Sequence, residues 1–166
     1  VYRVNKAFLP LVRAAAGRII ITTSELALQK PLPFTGIYAL SKTTLECYAD
    51  ALRLELQLIG VRVIAVRPGA FRTTLLGEAG HELERLKSGT QLYADRRYRI
   101  ERIMGGQTGK AKDPRRLAEV YLRIVMARHP RMRYSVHPSF LLKMYSAAPR
   151  RLQALAMRLL LKKSKI

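Results

Sequence analysis

The sequence has a single cysteine, Cys47, so the chain cannot form an internal disulfide. Cys47 lies in a helical pattern, where we expect a buried and unreactive thiol. No stretch approaches the roughly 18 consecutive apolar residues that a membrane-spanning helix needs, and no signal peptide is recognisable. His81, His129 and His137 are scattered and have few carboxylate neighbours, so we predict no metal site.

Acidic residues are scarce as well. The chain has 11 Asp and Glu against 31 Lys and Arg, a net charge of +20, and no acidic residue follows Glu119. Such a charge is typical of proteins that bind nucleic acid, an anionic membrane surface or acidic partners. It is equally expected if a segment outside this sequence carries compensating acid and the source organism has arginine-rich proteins. The 166 residues, 49% of them hydrophobic, suffice for one globular domain or part of one.

Apolar periodicity and turn residues predict an alternation of helices and strands. Helices are predicted at 1–14, 36–59 and 113–128, and strands at 17–24, 61–66 and 131–136. Two strands joined by a long helix make a parallel crossover unit. The sequence therefore predicts an α/β fold with a doubly wound parallel sheet, in which ligands bind at the carboxyl ends of the strands.

Tyr38 and Lys42 are four residues apart in the segment Y-A-L-S-K. On a helix these two side chains share a face. A lysine ammonium near a phenol stabilises the ionised form of the phenol, which makes Tyr38 a candidate general acid and base. Ser24 ends the preceding predicted strand and is placed to donate a hydrogen bond to the same reacting oxygen. This set suits redox chemistry between alcohols and carbonyls.

The ordered motifs G-R-I-I-I-T-T-S, Y-A-L-S-K and V-R-V-I-A-V-R-P-G-A-F-R-T resemble the C-terminal half of a short-chain dehydrogenase/reductase, of the hydroxysteroid and retinol dehydrogenase-like branch. The resemblance covers residues 1 to about 138. The spacing from Ser24 to Tyr38 is fourteen residues, one more than is common in the family. A one-residue insertion near Lys30 and Pro31 would absorb the difference, and Thr23 is the substitute if Ser24 is misassigned.

The resemblance implies a role for each matched residue. Ser24 positions the substrate oxygen, Tyr38 exchanges the proton, and Lys42 binds the nicotinamide ribose. Thr73 and the backbone of Pro68 and Gly69 hold the nicotinamide of NAD or NADP. Asn5 falls too late in its helix to match the family's catalytic asparagine, so we expect a polar surface role for it.

A nicotinamide enzyme also needs a glycine-rich turn after its first strand. The sequence contains no such turn, since the G-G-Q-T-G-K segment at 105–110 has the wrong spacing and follows no predicted strand. We therefore expect the C-terminal part of a longer Rossmann-like reductase, lacking the N-terminal dinucleotide-binding half. The isolated chain is expected to be inactive.

Two further segments bear on the substrate. Residues 74–112 are irregular and resemble the family's substrate-binding loop. The apolar lid candidates are Phe71, which precedes this stretch, and Leu75, Leu76, Leu83 and Leu86 within it. Residues 139–166 are predicted to form a basic amphipathic helical tail after the reductase domain at 1–138. Within it, 150–163 either lies on an anionic membrane surface or packs its leucines into a buried seam. Together these features suggest a lipophilic small-molecule substrate.

Two classes of function remain. The first is an NAD(P)-dependent oxidoreductase that interconverts an alcohol and a ketone or aldehyde, and that forms a homo-oligomer through the helices at 1–14 and 36–59. We expect it in the cytoplasm, with peripheral membrane contact through 150–163. The alternative is a non-catalytic basic module for nucleic acid or an anionic membrane. Retention of the whole Ser-Tyr-Lys set favours the first and makes nucleic acid an unfavoured partner.

Overall fold

The structure is a computed structural model that describes residues 1–29, 32–74, 77–78, 96, 98–100 and 111–162. Several sequence predictions lie outside these residues: the insertion near Lys30 and Pro31, the lid candidates Leu75, Leu76, Leu83 and Leu86, and the glycine-rich segment at 105–110.

Helices and strands alternate along the described part of the chain. The helices are α1 (Tyr2–Ala14), α2 (Gly36–Leu56), α3 (Pro114–Met126), α4 (Phe140–Ala147) and α5 (Arg150–Leu160), and the strands are β1 (Arg18–Thr22), β2 (Arg62–Pro68) and β3 (Arg133–Val136). Two short 3-10 helices, Glu25–Leu28 and Gln57–Ile59, follow β1 and α2. The predicted elements are confirmed, with boundaries that differ by a few residues.

The three strands form one parallel sheet in the order β1-β2-β3. Thr22 of β1 is paired with Val66 of β2, and Pro68 of β2 with Val136 of β3. The predicted α/β fold with a parallel sheet is thereby confirmed. In a parallel sheet all carboxyl ends lie at one edge, so the residues after the three strands are neighbours.

Two local signals fix the helix ends. Gly60 caps the 3-10 helix Gln57–Ile59 that follows α2. Its backbone is left-handed, with a φ of +76°, a conformation that glycine adopts without strain. At the start of α3, the Asp113 carboxylate accepts a hydrogen bond from the Arg115 backbone N–H at 2.8 Å. Pro114 occupies the first helical position, where its missing N–H costs nothing.

One hydrophobic core cluster is formed by β1, β2, α1 and α2. Its buried members are Ile19, Ile21, Ala49, Leu56, Val61, Val63 and Ala65, with Leu9, Val12, Leu45, Tyr48 and Leu52 packed against them. Side chains alternate between the faces of a strand, so Ile64 and Val66 project to the other face, where they are also buried. A strand apolar on both faces is typical of a parallel sheet covered on both sides.

The prediction for α1 was partly wrong. Val12 packs on the core, but Val1, Val4, Phe8 and Leu11 are more than half exposed. The helical spacing is right, but the described residues of this chain cover only part of the apolar face of α1. The prediction for Cys47 was also wrong, because this side chain on α2 is exposed.

A cluster of charges ties α2 to the sheet. Glu46 is buried and forms an ion pair with Arg67 of β2, while the Nε of Arg133 lies 3.7 Å from the same carboxylate oxygen. Asp50, one turn later, bonds Arg53 at 2.5 Å and Arg133 at 2.6 Å. Burial raises the pKa of Asp50, but the two arginines outweigh burial and leave its pKa below the ordinary value.

The chain divides into two compact units, one of residues 1–69 and 118–139 and the other of 70–117 and 140–166. In the second unit, the side-chain amide of Gln153 on α5 donates to the carbonyls of Tyr145 and Ala148, both at 2.8 Å. Phe71, predicted to line the lid, is buried and forms a backbone bridge with Lys112, and its role in a lid stays a prediction. None of the helices in the described residues is long and apolar enough to cross a membrane.

Candidate active site at the carboxyl edge of the sheet

The residues that follow the three strands meet at one edge of the sheet. The backbone N–H of Thr23 donates to the Val66 carbonyl at 2.8 Å, and that of Gly69 donates to the Val136 carbonyl at 2.9 Å. These bonds extend the ladder beyond the strand ends. They hold the segment that carries Ser24 and the Pro68-Gly69 segment in fixed positions on the sheet.

Ser24 caps the 3-10 helix Glu25–Leu28 and is buried. Its hydroxyl oxygen accepts a hydrogen bond from the Leu26 backbone N–H at 3.2 Å. A hydroxyl that accepts one bond still has its own proton to donate. Thr23 is a poorer candidate, because its hydroxyl donates to the Val66 carbonyl at 3.2 Å. The geometry therefore favours Ser24 over Thr23 as a donor to a substrate oxygen.

The end of β1 is also anchored to α3. The hydroxyls of Thr22 and Tyr121 are 2.5 Å apart. Burial raises the pKa of the Tyr121 phenol, and the bond with Thr22 offsets part of that rise. A neutral phenol bonded to Thr22 thus fixes the chain two residues before Ser24.

Tyr38 and Lys42 lie on the same face of α2, as predicted from their spacing. The Lys42 Nζ is 5.7 Å from the centroid of the Tyr38 ring, within the range of a cation–π contact. Tyr38 is 38% exposed and Lys42 is half-buried, so both residues reach the surface. One residue later, the Thr43 hydroxyl donates to the Ala27 carbonyl at 2.8 Å and ties α2 to the 3-10 helix after Ser24. The arrangement has a proton donor and acceptor beside a fixed positive charge.

The residues predicted to contact a nicotinamide belong to two different units. Pro68 ends β2 and Gly69 follows it, both in the first unit, whereas Thr73 belongs to the second. A Cβ added at Gly69 would lie 2.2 Å from the His137 carbonyl oxygen, so no side chain fits there. The roles of Pro68, Gly69 and Thr73 toward a cofactor stay predictions.

Asn5 is held by α2. Its side-chain amide donates to the Tyr48 hydroxyl at 3.1 Å, and the residue is half-buried between the two helices. The sequence suggested a polar surface position. The structure shows a polar contact between α1 and α2 instead.

Sequence reasoning missed one residue of this edge, Glu25. It is 8% exposed, and its carboxylate accepts a hydrogen bond from the Ser139 backbone N–H at 2.6 Å. Burial raises the pKa of Glu25 above its ordinary value, although the bond from Ser139 opposes the rise. The available signal was an acidic residue directly after Ser24 in a chain with few acidic residues.

Residues 1–84 match the sequence pattern of the short chain dehydrogenase family. The chain belongs to this family. It is 34% identical over 138 residues to 17-beta-hydroxysteroid dehydrogenase type 1 of Mus musculus, covering 80% of this chain and 39% of the relative. It is 33% identical over 146 residues to Retinol dehydrogenase 16 of Mus musculus, covering 80% of this chain and 44% of the relative.

The fold of this short-chain dehydrogenase matches solved structures. L-sorbose reductase from Gluconobacter frateurii, complexed with NADPH and L-sorbose, superposes with a TM-score of 0.60 at 23% identity, over 84% of this chain and 53% of that one. The chain spans less than half the length of the two curated relatives that it matches. The likeness to relatives named as hydroxysteroid and retinol dehydrogenases agrees with the branch predicted from the motifs.

Proposed function

We propose that this chain supplies the catalytic part of an NAD(P)-dependent oxidoreductase that interconverts an alcohol and a ketone or aldehyde. The observation that carries the proposal is the shared face of Tyr38 and Lys42, with the ammonium 5.7 Å from the ring. Ser24 and Gly69 follow neighbouring parallel strands, at the edge where ligands of such sheets bind. These features are the ones that proton transfer at a substrate oxygen requires.

Each residue has a distinct role in this proposal. Ser24 donates a hydrogen bond to the substrate oxygen and orients it. Tyr38 gives a proton to that oxygen during reduction and takes it back during oxidation, while Lys42 keeps a positive charge beside the ring.

The donor set also fits the ribose of a nicotinamide dinucleotide. Lys42 has three N–H donors and is half-buried beside an accessible phenol, so it suits the ribose hydroxyls, with Thr73 and the backbone of Pro68 and Gly69 as further contacts. The bound dinucleotide supplies or accepts the hydride. NADPH is present in the L-sorbose reductase structure, which supports a cofactor of this class.

The decisive experiment replaces Tyr38 in a full-length protein that contains this chain. Tyr38→Phe removes the proton donor but keeps the ring, so we expect turnover to fall by about 100-fold or more with nearly unchanged cofactor binding. Lys42→Ala should weaken both. Tyr2→Phe, which alters an exposed tyrosine of α1, is the matched control and should leave both quantities unchanged. Near wild-type turnover of Tyr38→Phe would contradict the proposal.

We expect the 166-residue chain by itself to bind NAD(P) weakly. The sequence contains no glycine-rich turn for the pyrophosphate, which is the main anchor of such a cofactor. A titration that gave micromolar affinity for NADPH would show that the anchor lies elsewhere.

The proposed substrate is lipophilic, and the protein is proposed to bind it near a membrane surface. On α5, Leu152, Leu155 and Leu159 are at least half exposed. A cavity of about 630 Å³ in the second unit is lined by leucines 155, 159 and 161 together with Arg158, Lys162 and Arg96. An apolar face flanked by cations suits an anionic lipid surface. The exposure of these leucines in the described structure favours this proposal over a seam buried by the chain itself.

The proposed assembly is a homo-oligomer formed through α1 and α2. Phe8 and Leu11 on α1, and Ile37, Leu40 and Leu54 on α2, are 57–83% exposed. Both helices belong to the first unit. Large apolar side chains exposed on two helices of one unit favour an interface over a solvated face. A second copy of the chain is the proposed partner.

A further inference from the structure

Glu25 is a buried carboxylate that the proposed chemistry does not use. It directly follows Ser24, in the first turn of the 3-10 helix that Ser24 caps. Its Oε2 accepts a hydrogen bond of 2.6 Å from the backbone N–H of Ser139, three residues after β3. One side chain therefore joins the segment after β1 to the segment after β3.

The same carboxylate also lies against the segment after β2. A Cβ added at Gly69 would lie 3.1 Å from Glu25 Oε1, so the carboxylate occupies the space beside the glycine. The other close atom at that position is the carbonyl oxygen of His137, whose own backbone has a φ of +52°. The ends of all three strands are thus in contact around Glu25.

The hydrogen bond from Ser139 compensates the burial of Glu25 only in part. Burying a carboxylate is unfavourable unless it is paired or hydrogen-bonded, and among the described residues no cationic side chain forms an ion pair with Glu25. Burial accordingly raises the pKa of this group. Titratable groups with shifted pKa values cluster at functional sites, and Glu25 directly follows Ser24.

We propose that Glu25 is a positioning residue that fixes Ser24 relative to Gly69 by holding the segment after β3 through the Ser139 N–H. This inference rests on the proposed function of Ser24 and of the Pro68-Gly69 backbone. The role of Glu25 is geometric. The substrate oxygen and the nicotinamide contact different strand ends, so the distance between those ends sets their alignment, and misplacement by about 1 Å costs about 100-fold in rate.

The test compares Glu25→Ala, Glu25→Gln and the control Glu55→Ala, which removes an exposed carboxylate from α2, in a full-length protein that contains this chain. Glu25→Ala loses the acceptor, so we expect kcat to fall by about 10- to 100-fold with a smaller change in KM. Glu25→Gln keeps an oxygen acceptor of the same reach and should recover most of the kcat. Glu55→Ala should match the unaltered protein.

A second measurement does not depend on catalysis. Amide hydrogen exchange at Ser139 should be protected in the unaltered protein and in Glu25→Gln, and should accelerate in Glu25→Ala. If Glu25→Ala accelerates exchange but keeps kcat within about twofold, the positioning role is overturned. If Glu25→Gln is as slow as Glu25→Ala, the charge matters and the geometric account is overturned. Failure of the proposed function itself is recognised separately, by normal turnover of Tyr38→Phe.

Discussion

The buried carboxylate of Glu46, in the middle of α2, faces the guanidinium of Arg67 on β2, whose Nε lies 3.0 Å from Oε1. Both side chains are largely removed from solvent. Breaking such a pair leaves an uncompensated buried charge, which costs about 3–5 kcal/mol. We therefore expect Arg67→Met to lower the free energy of unfolding by about that amount in urea denaturation.

The exposed Arg116→Met on α3 serves as the control for this pair and should change stability by less than about 0.5 kcal/mol. The double variant Glu46→Leu with Arg67→Met should be more stable than Arg67→Met alone, because it removes both charges. A loss below about 1 kcal/mol for Arg67→Met would mean that Arg133 alone compensates the carboxylate.

Gly69 is predicted to tolerate no larger residue. A Cβ there would approach the His137 carbonyl oxygen to 2.2 Å, and that atom belongs to the backbone. We expect Gly69→Ala to destabilise the protein by about 2–3 kcal/mol or more. Gly36→Ala is the comparison, since a Cβ at Gly36 meets nothing within 4 Å. It should be neutral or stabilise by up to about 1 kcal/mol, and equal thermal melting of the two variants would refute the packing argument.

Glu25 should give the stability a recognisable pH dependence. Burial raises its pKa in the folded state above the ordinary value of 4.5, so the folded state binds more protons than the unfolded state between those two values. The contribution of Glu25 to the free energy of unfolding is therefore fully present below the unfolded pKa and is lost as the pH rises through the folded pKa. Glu25→Gln should remove this decline, as measured by urea denaturation at a series of pH values. An unchanged pH profile would place the titrating group elsewhere.

The proposed oligomer can be tested directly by measuring the molar mass of the protein in solution. Phe8→Lys together with Ile37→Lys places charges on the exposed apolar faces of α1 and α2, and should convert the oligomer to a monomer in size-exclusion chromatography with light scattering. Leu159→Lys, an exposed leucine of α5, controls for a general effect of added charge and should leave the mass unchanged. If the unaltered protein is itself a monomer, α1 and α2 are not a self-association surface.

Membrane contact through α5 should depend on its basic residues. Each lysine or arginine near an anionic leaflet contributes about 1 kcal/mol, so neutralising Arg151 and Arg158 should weaken binding to phosphatidylserine vesicles about 30-fold at low salt. Binding should be lost when residues 150–166 are deleted, and also at high salt. The control variant neutralises Arg128 and Arg131, which lie outside α5. Absence of binding at low salt would eliminate this contact.

Local chemistry explains what the sequence could predict. The β-branched runs of β1 and β2, the helical spacing of Tyr38 and Lys42, and the glycine at position 60 each determine structure over a few residues. Because β1 and β2 pair in parallel, the residues that follow the two strands lie at the same edge of the sheet. The family resemblance then assigned roles that spacing alone could not.

The errors concern which surfaces are covered. An apolar spacing such as that of Phe8 and Leu11 is the same whether the face packs on its own domain or on another molecule, so exposure could not be read from it. The prediction of a buried Cys47 was wrong for the same reason. The role of Glu25 depends on a contact with Ser139, 114 residues away, which no local pattern encodes.

The bond between the Thr43 hydroxyl and the Ala27 carbonyl closes a ring of chain around the loop that precedes α2. The 3-10 helix after Ser24 and the helix that carries Tyr38 are joined at this point, independently of the length of the connection between them. An added or deleted residue within the ring changes the outline of the loop and leaves its two ends where they are. The length of this loop can therefore vary while the bond between Thr43 and Ala27 keeps the chemical groups on either side at their spacing.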